Sequence, residues 1–113
     1  MQPRTRACLD DIIRASALIQ SALEGMSFDE YLSNWVKQSA VERQFMIIGE
    51  ALIRIRNAEP IILDSIPESN AVIGFRNLLV HGYDSANPKA IFKLAGEPLS
   101  HLLEIVSDLA GNH

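Results

Sequence analysis

The apolar positions of this chain recur at three- and four-residue steps, so they predict helices throughout. In "RTRACLDDIIRASALIQSALEG", Leu9, Ile12, Ile13, Ile19 and Leu23 fall near one face, with Ser16 in the gap. Gly25 follows the last of them and is placed to stop the helix. In "SFDEYLSN", Ser27 is followed three residues later by Glu30. That is a capping-box pattern and predicts a short helix.

The second long helix spans "WVKQSAVERQFMIIGEALIRIRN". Val41, Phe45, Ile48, Leu52 and Ile55 form a stripe along it, at the spacing that packs against neighbouring helices. "AEPIILDSIPESN" contains two prolines and reads as a connection with room for a helical turn. A third helix is predicted over Ser69–Val80, with Gly82 as its stop. "DSAN" reads as a turn. Asn87 then pairs with Pro88 as cap and first-turn proline. The last helix, "PKAIFKLAGEPLSHLLEIVSDLAG", contains Pro98, which should kink it. No segment alternates with a two-residue period, and no repeat is evident. The expected fold is all-α: an antiparallel up-and-down bundle of four to five helices, in a single domain covering residues 1–113.

Composition sharpens this picture only a little. The chain has 113 residues, 48% hydrophobic and 6% aromatic, so its core must be mainly aliphatic. The formal charge of −4 argues against coating nucleic acid through a broad basic face, yet leaves room for a small basic pocket. The single Cys8 cannot form an internal disulfide and suits a reducing compartment as a small buried residue. "MQPRTRACLDD" lacks the apolar run of a signal peptide. No apolar stretch reaches the roughly 20 residues that span a bilayer. A soluble cytoplasmic protein is expected.

The chemistry concentrates in "GFRNLLVHGYD", Gly74 to Asp84. Taken singly, Arg76 reads as a surface charge, His81 as a residue favoured at a helix C-terminus, and Tyr83 as a turn residue. Phe75, Leu78, Leu79 and Val80 read as core or interface. Together, Arg76 and His81 suit metal-free phosphodiester cleavage. An imidazole can take the proton from a ribose 2′-hydroxyl, and a guanidinium can grip phosphate oxygens and stabilise the charge on pentacoordinate phosphorus. Five residues of helix turn through about 140°. The two groups therefore converge only if the helix ends before His81 or if a second subunit takes part. Glu42, Glu50 and Arg43 read as a charged helix face, although Glu50, beside Gly49, could turn inward to orient an arginine. His101 and His113 have no metal-ligand spacing with each other or with His81. No glycine-rich phosphate loop is present, and no cofactor is expected.

"RNLLVHGY" resembles the R-x4-H-x-Y motif of HepT-like toxins, a branch of the HEPN superfamily. "AVERQFMIIGEAL" resembles that family's second long helix, "IPESNAVIGFRNLLVHGYD" its approach to the motif, and "EPLSHLLEIV" its last helix. The similarity covers most of the chain from about Tyr31 onward. It implies a homodimeric bundle with two motifs facing a shared cleft. It also implies the toxin of a type VII toxin–antitoxin system, a metal-independent endoribonuclease acting on cellular RNA, with tRNA as one kind of target. By position, Arg76 and His81 would be catalytic and Asn77 would support them. The implied partner is an MntA-like nucleotidyltransferase antitoxin, which would transfer AMP to Tyr83. The alternative is a non-catalytic nucleotide- or RNA-binding subunit of such a nucleotidyltransferase; a third reading is a plain dimeric scaffold.

Overall fold

The computed structural model describes residues 1–81 and 87–111. The predicted stop at Gly82, the turn that follows it, Tyr83 and His113 all lie outside the described residues. Among the described residues seven helices run in order: α1 (Pro3–Leu23), α2 (Phe28–Leu32), α3 (Trp35–Ala58), α4 (Pro60–Leu63), α5 (Ser69–Val80), α6 (Pro88–Leu94) and α7 (Glu97–Leu109). Among the described residues there is no strand. The four longer helices, α1, α3, α5 and α7, are the bundle that the periodicity predicts, and the three short ones occupy its connections. No helix of the described residues is long and apolar enough to cross a membrane.

The local signals operate as the sequence implies. Ser27 Oγ accepts from the Glu30 N–H at 3.2 Å, and Glu30 accepts from the Ser27 N–H at 3.0 Å. The capping box is complete, and it starts α2. Asn34 caps α3 through the Lys37 N–H, and Asn87 caps α6 through the Lys89 N–H, each at 3.0 Å. After α1, Gly25 takes φ 72°, the left-handed geometry that only glycine enters without strain.

One expectation needs correction. The last helix is not kinked at Pro98 but broken two residues earlier, into α6 and α7. Gly96 leaves helical geometry at ψ −122° and becomes the N-cap of α7. Pro98 then sits in the first turn, where its missing N–H leaves no helical bond unmade.

The core follows the stripes. Val41, Phe45, Ile48, Leu52 and Ile55 of α3 are fully buried. They pack with Leu9, Ile12 and Ile19 of α1 and with Leu99, Leu102 and Val106 of α7. Cys8 is buried as expected, and Ser16 fills its gap inside the core. Polar ties fix the antiparallel pairings. Arg6 donates to the carbonyl of Ala110, and Gln20 to Ser100 Oγ, so α1 and α7 run in opposite directions. At the far end of α3, Glu59 accepts from the Gln2 N–H at 2.6 Å and from the buried Thr5 hydroxyl at 2.8 Å. This places a carboxylate at the N-terminus of α1, where the helix dipole favours it.

The Glu59 carboxyl is held below its ordinary value, first by the Gln2 N–H and then by the Thr5 hydroxyl. A depressed carboxyl stabilises the fold above its unfolded-state pKa, and that contribution is lost as pH falls through the folded value. Thermal unfolding followed between pH 7 and pH 3 should therefore show Glu59→Gln less stable than the parent near neutrality. The difference should shrink on the acid side of the ordinary carboxyl value of 4.5. A gap that stayed constant over the whole range would remove this tie from the account.

Candidate functional site

The site begins at a glycine. Gly49 lies in the middle of α3, buried against α5. A Cβ built there would meet the Cβ of Arg76, would stand 2.9 Å from Arg76 Cγ, and would lie 3.3 Å from the carbonyl oxygen of Val72. Two neighbours on α5, one a turn above the other, thus close over position 49. Any side chain there would push the two helices apart. Beside this contact the rings of Phe45 and Phe75 meet edge-on, with centroids 5.9 Å apart. Sequence reasoning missed Gly49. Its signal was a glycine inside an otherwise strong helix, which usually marks close backbone approach.

Arg76 is consequently half-buried, with its stem laid across Gly49. Its Nε is sealed from solvent and has no hydrogen-bond partner among the described residues. Its Nη1 donates to Asn77 Oδ1 at 3.0 Å. The guanidinium is therefore immobilised at its root and held at one terminal nitrogen, leaving its outer edge to meet an anion.

His81 caps α5 and is exposed. Its backbone N–H donates to the Asn77 carbonyl at 3.1 Å, the ordinary four-residue helical bond. The helical path thus runs through His81 itself. The helix ends at Val80 with His81 as its C-cap, and on this path the backbone positions of Arg76 and His81 are offset by about 140°. Asn77 links the two: its side chain holds Arg76 and its backbone holds His81.

Glu50 faces outward. Its carboxylate pairs with Arg54 on the same helix at 3.3 Å, and both side chains are more than half exposed. The inward turn open to Glu50 is not taken, and the arginine it meets is Arg54 on the outer face of α3. Glu42 also departs from expectation. It is half-buried, its carboxyl is pushed up by burial, and its charge acts on Tyr31. Tyr31 is fully buried, and burial first and Glu42 second push its phenol up to about 12. His101 bonds Glu68 at 2.6 Å. Among the described residues, no group of three or more His, Cys, Asp or Glu side chains is placed to hold a metal ion.

On the outer side of α5, Leu78 and Val80 are each close to half exposed. They are not core residues of the single chain. Gly74, one turn before Leu78, has open space where a Cβ would point. Gly74, Leu78 and His81 recur at four and three residues and share this face.

Comparison with known proteins follows the same segments. Residues 12–109 match the family model described as "Ribonuclease HepT-like". A protein of Methanocaldococcus jannaschii, named "Putative RNase MJ0127", is 28% identical over 112 residues, covering 94% of this chain and 90% of its own length. No solved structure matches the chain significantly.

Replacing Gly49 with Ala should destabilise the protein by about 1–3 kcal/mol, the range for forcing extra atoms into a packed contact. Gly74→Ala should be neutral or slightly stabilising in a dilute single chain, because alanine is the better helix former and nothing crowds that site. Urea unfolding of the two variants checks the contrast. Equal effects at the two glycines would show that the close approach at Gly49 is not real.

Proposed function

The chain belongs to the HepT-like ribonuclease family, and from that premise we propose that it is the toxin ribonuclease of a toxin–antitoxin pair, cutting cellular RNA in the cytoplasm without a metal ion. The observation that carries this reading is the seating of Arg76. A guanidinium packed over a glycine and braced by its neighbour Asn77 is oriented before any ligand arrives. Surface arginines with only a solubilising role have no need of such a seat.

In the proposed reaction His81 takes the proton from a ribose 2′-hydroxyl. The 2′-oxygen attacks phosphorus, the bond from phosphorus to the 5′-oxygen breaks, and that oxygen receives a proton as it leaves. The products are a 2′,3′-cyclic phosphate and a 5′-hydroxyl. Arg76 binds the non-bridging oxygens and offsets the charge that gathers on them at the pentacoordinate stage. Its fixed stem lowers the reorganisation needed when that charge develops.

The helical offset between Arg76 and His81 makes a second copy part of this reading. The His81 face of α5 also carries Gly74 and Leu78, uncharged and available for close packing. Two chains joined there would bring two motifs to one cleft, with the small and apolar positions hidden and the polar ones around the RNA path. tRNA is the target class favoured by the resemblance. Regulation would come from an MntA-like nucleotidyltransferase that adds AMP to Tyr83, two residues after His81. The added phosphate would repel the RNA backbone, and its bulk would obstruct the cleft.

Purified protein should cleave RNA in the presence of a chelator. Arg76→Ala and His81→Ala should each lower the rate by about 10²- to 10⁴-fold while the variants keep their helical circular dichroism. Full activity in either variant would remove that residue from the chemistry, and RNA binding without cleavage by the parent would favour the non-catalytic subunit. Co-expression with the nucleotidyltransferase should raise the intact mass by one or more AMP units, an increase missing in Tyr83→Phe. Inhibition of an unmodified chain would point instead to steric blocking by the partner.

A further inference from the structure

The corner where α2 meets α3 exposes apolar surface that the bundle does not need. Trp35 is 75% exposed, Val36 58% and Leu32 51%. Isolated exposed apolar residues are ordinary, but three within five positions, one of them tryptophan, mark a surface built for contact. The corner is also rigid. The capping box fixes the start of α2. Asn34 caps α3, and the Gln38 amide donates to the carbonyls of Tyr31 and Leu32 at 2.9 and 3.0 Å. From behind, α6 braces α2 through ring contacts of Phe92 with Phe28 and Tyr31. Little ordering is left to be done on binding.

A groove of about 600 Å³ opens at this corner, lined by Asp29, Glu30, Ser33, Asn34 and Trp35. Its charged lining residues are both carboxylates. Lys37, the nearest basic residue in the chain, does not line it. An indole face next to two carboxylates is the chemistry that holds an organic cation. A symmetric contact between two such corners would press carboxylate against carboxylate, so a second copy in the same orientation is disfavoured.

We propose that this corner is the anchoring site for a different polypeptide, which lays an arginine side chain against Trp35 and beside Asp29 and Glu30. The site is independent of the RNA chemistry, because it shares no residue with Arg76, Asn77 or His81. The helix that braces it, α6, is the one that follows the motif in the chain.

The test uses the fluorescence of Trp35, the single tryptophan of the sequence. The full-length protein is titrated with acetyl-Leu-Arg-Leu-amide and with the same peptide carrying citrulline, the neutral isostere of arginine. The arginine peptide should change the emission saturably and bind about tenfold more tightly than the citrulline peptide, as expected for a desolvated cation on an aromatic face. Replacing Asp29 with Asn and Glu30 with Gln together should abolish that preference. Glutamine still completes a capping box, so α2 should stay folded. Equal binding of the two peptides, or an unchanged preference in the double variant, would overturn the site. So would Trp35 emission that shifts with protein concentration alone alongside a rising sedimentation coefficient, since that would put a second copy in the groove. RNA cleavage by the double variant should match the parent, so failure here and failure of the ribonuclease reading are read separately.

Discussion

A Cβ that is missing at position 49 sets the geometry on which the motif depends. Glycine inside a helix costs about 1 kcal/mol relative to alanine. What it permits is contact between α3 and the backbone of α5 at Val72, with the stem of Arg76 lying directly over the gap. The approach draws Phe75 onto the fully buried Phe45, so apolar packing offsets the helix penalty. The stem of Arg76 thus lies in a contact where a one-carbon addition would be felt. Most of the rotamer freedom of a long basic side chain is lost in folding rather than in binding.

The same helix carries the imidazole, on a backbone position about 140° round from that of Arg76. Regular hydrogen bonding persists through His81, whose N–H still reaches Asn77. One group is therefore set by packing against α3 and the other by the end of α5. Asn77 serves both, with its amide oxygen on Arg76 and its main-chain oxygen on His81. A residue touching both ends of a motif transmits a disturbance at either one to the other. Support of this kind holds a constellation in place when the supporting groups are themselves on rigid elements, as α5 is here.

Much of this was legible in the residues because it depends on local rules. The three-and-four stripe of α3 is fully buried, the capping box at Ser27 is complete, and the bounds of α5 fall where the pattern put them. The misses all involve tertiary approach. Pro98 looks like an interruption until Gly96 is seen to end helical geometry first. Glu42 looks like part of an outer charged face, yet the path of the helices half-buries it near Tyr31. Glu50 read as part of a charged face that could also turn inward, and its carboxylate stays outside on Arg54. Leu78 and Val80 read equally as core or interface, and no periodicity separates surface hidden within one chain from surface left for another.

That last ambiguity becomes informative once the exposed apolar residues are sorted by their surroundings. A domain of 113 residues has too little interior to hide every apolar side chain, so exposure alone says little. On α5 the exposed face that leads to His81 carries Ala71, Gly74 and Leu78, small or aliphatic, with no carboxylate among them. Such a face can meet its own copy without bringing like charges together, which a symmetric contact requires. At the α2–α3 corner the exposed Trp35 shares its groove with Asp29 and Glu30. Two identical acidic borders repel, and a basic surface is attracted. Charge at the rim therefore discriminates between partners that apolar area alone would accept equally. On the assignments proposed here, α5 would serve a second copy and the α2–α3 corner a basic partner, and charge would keep the two apart.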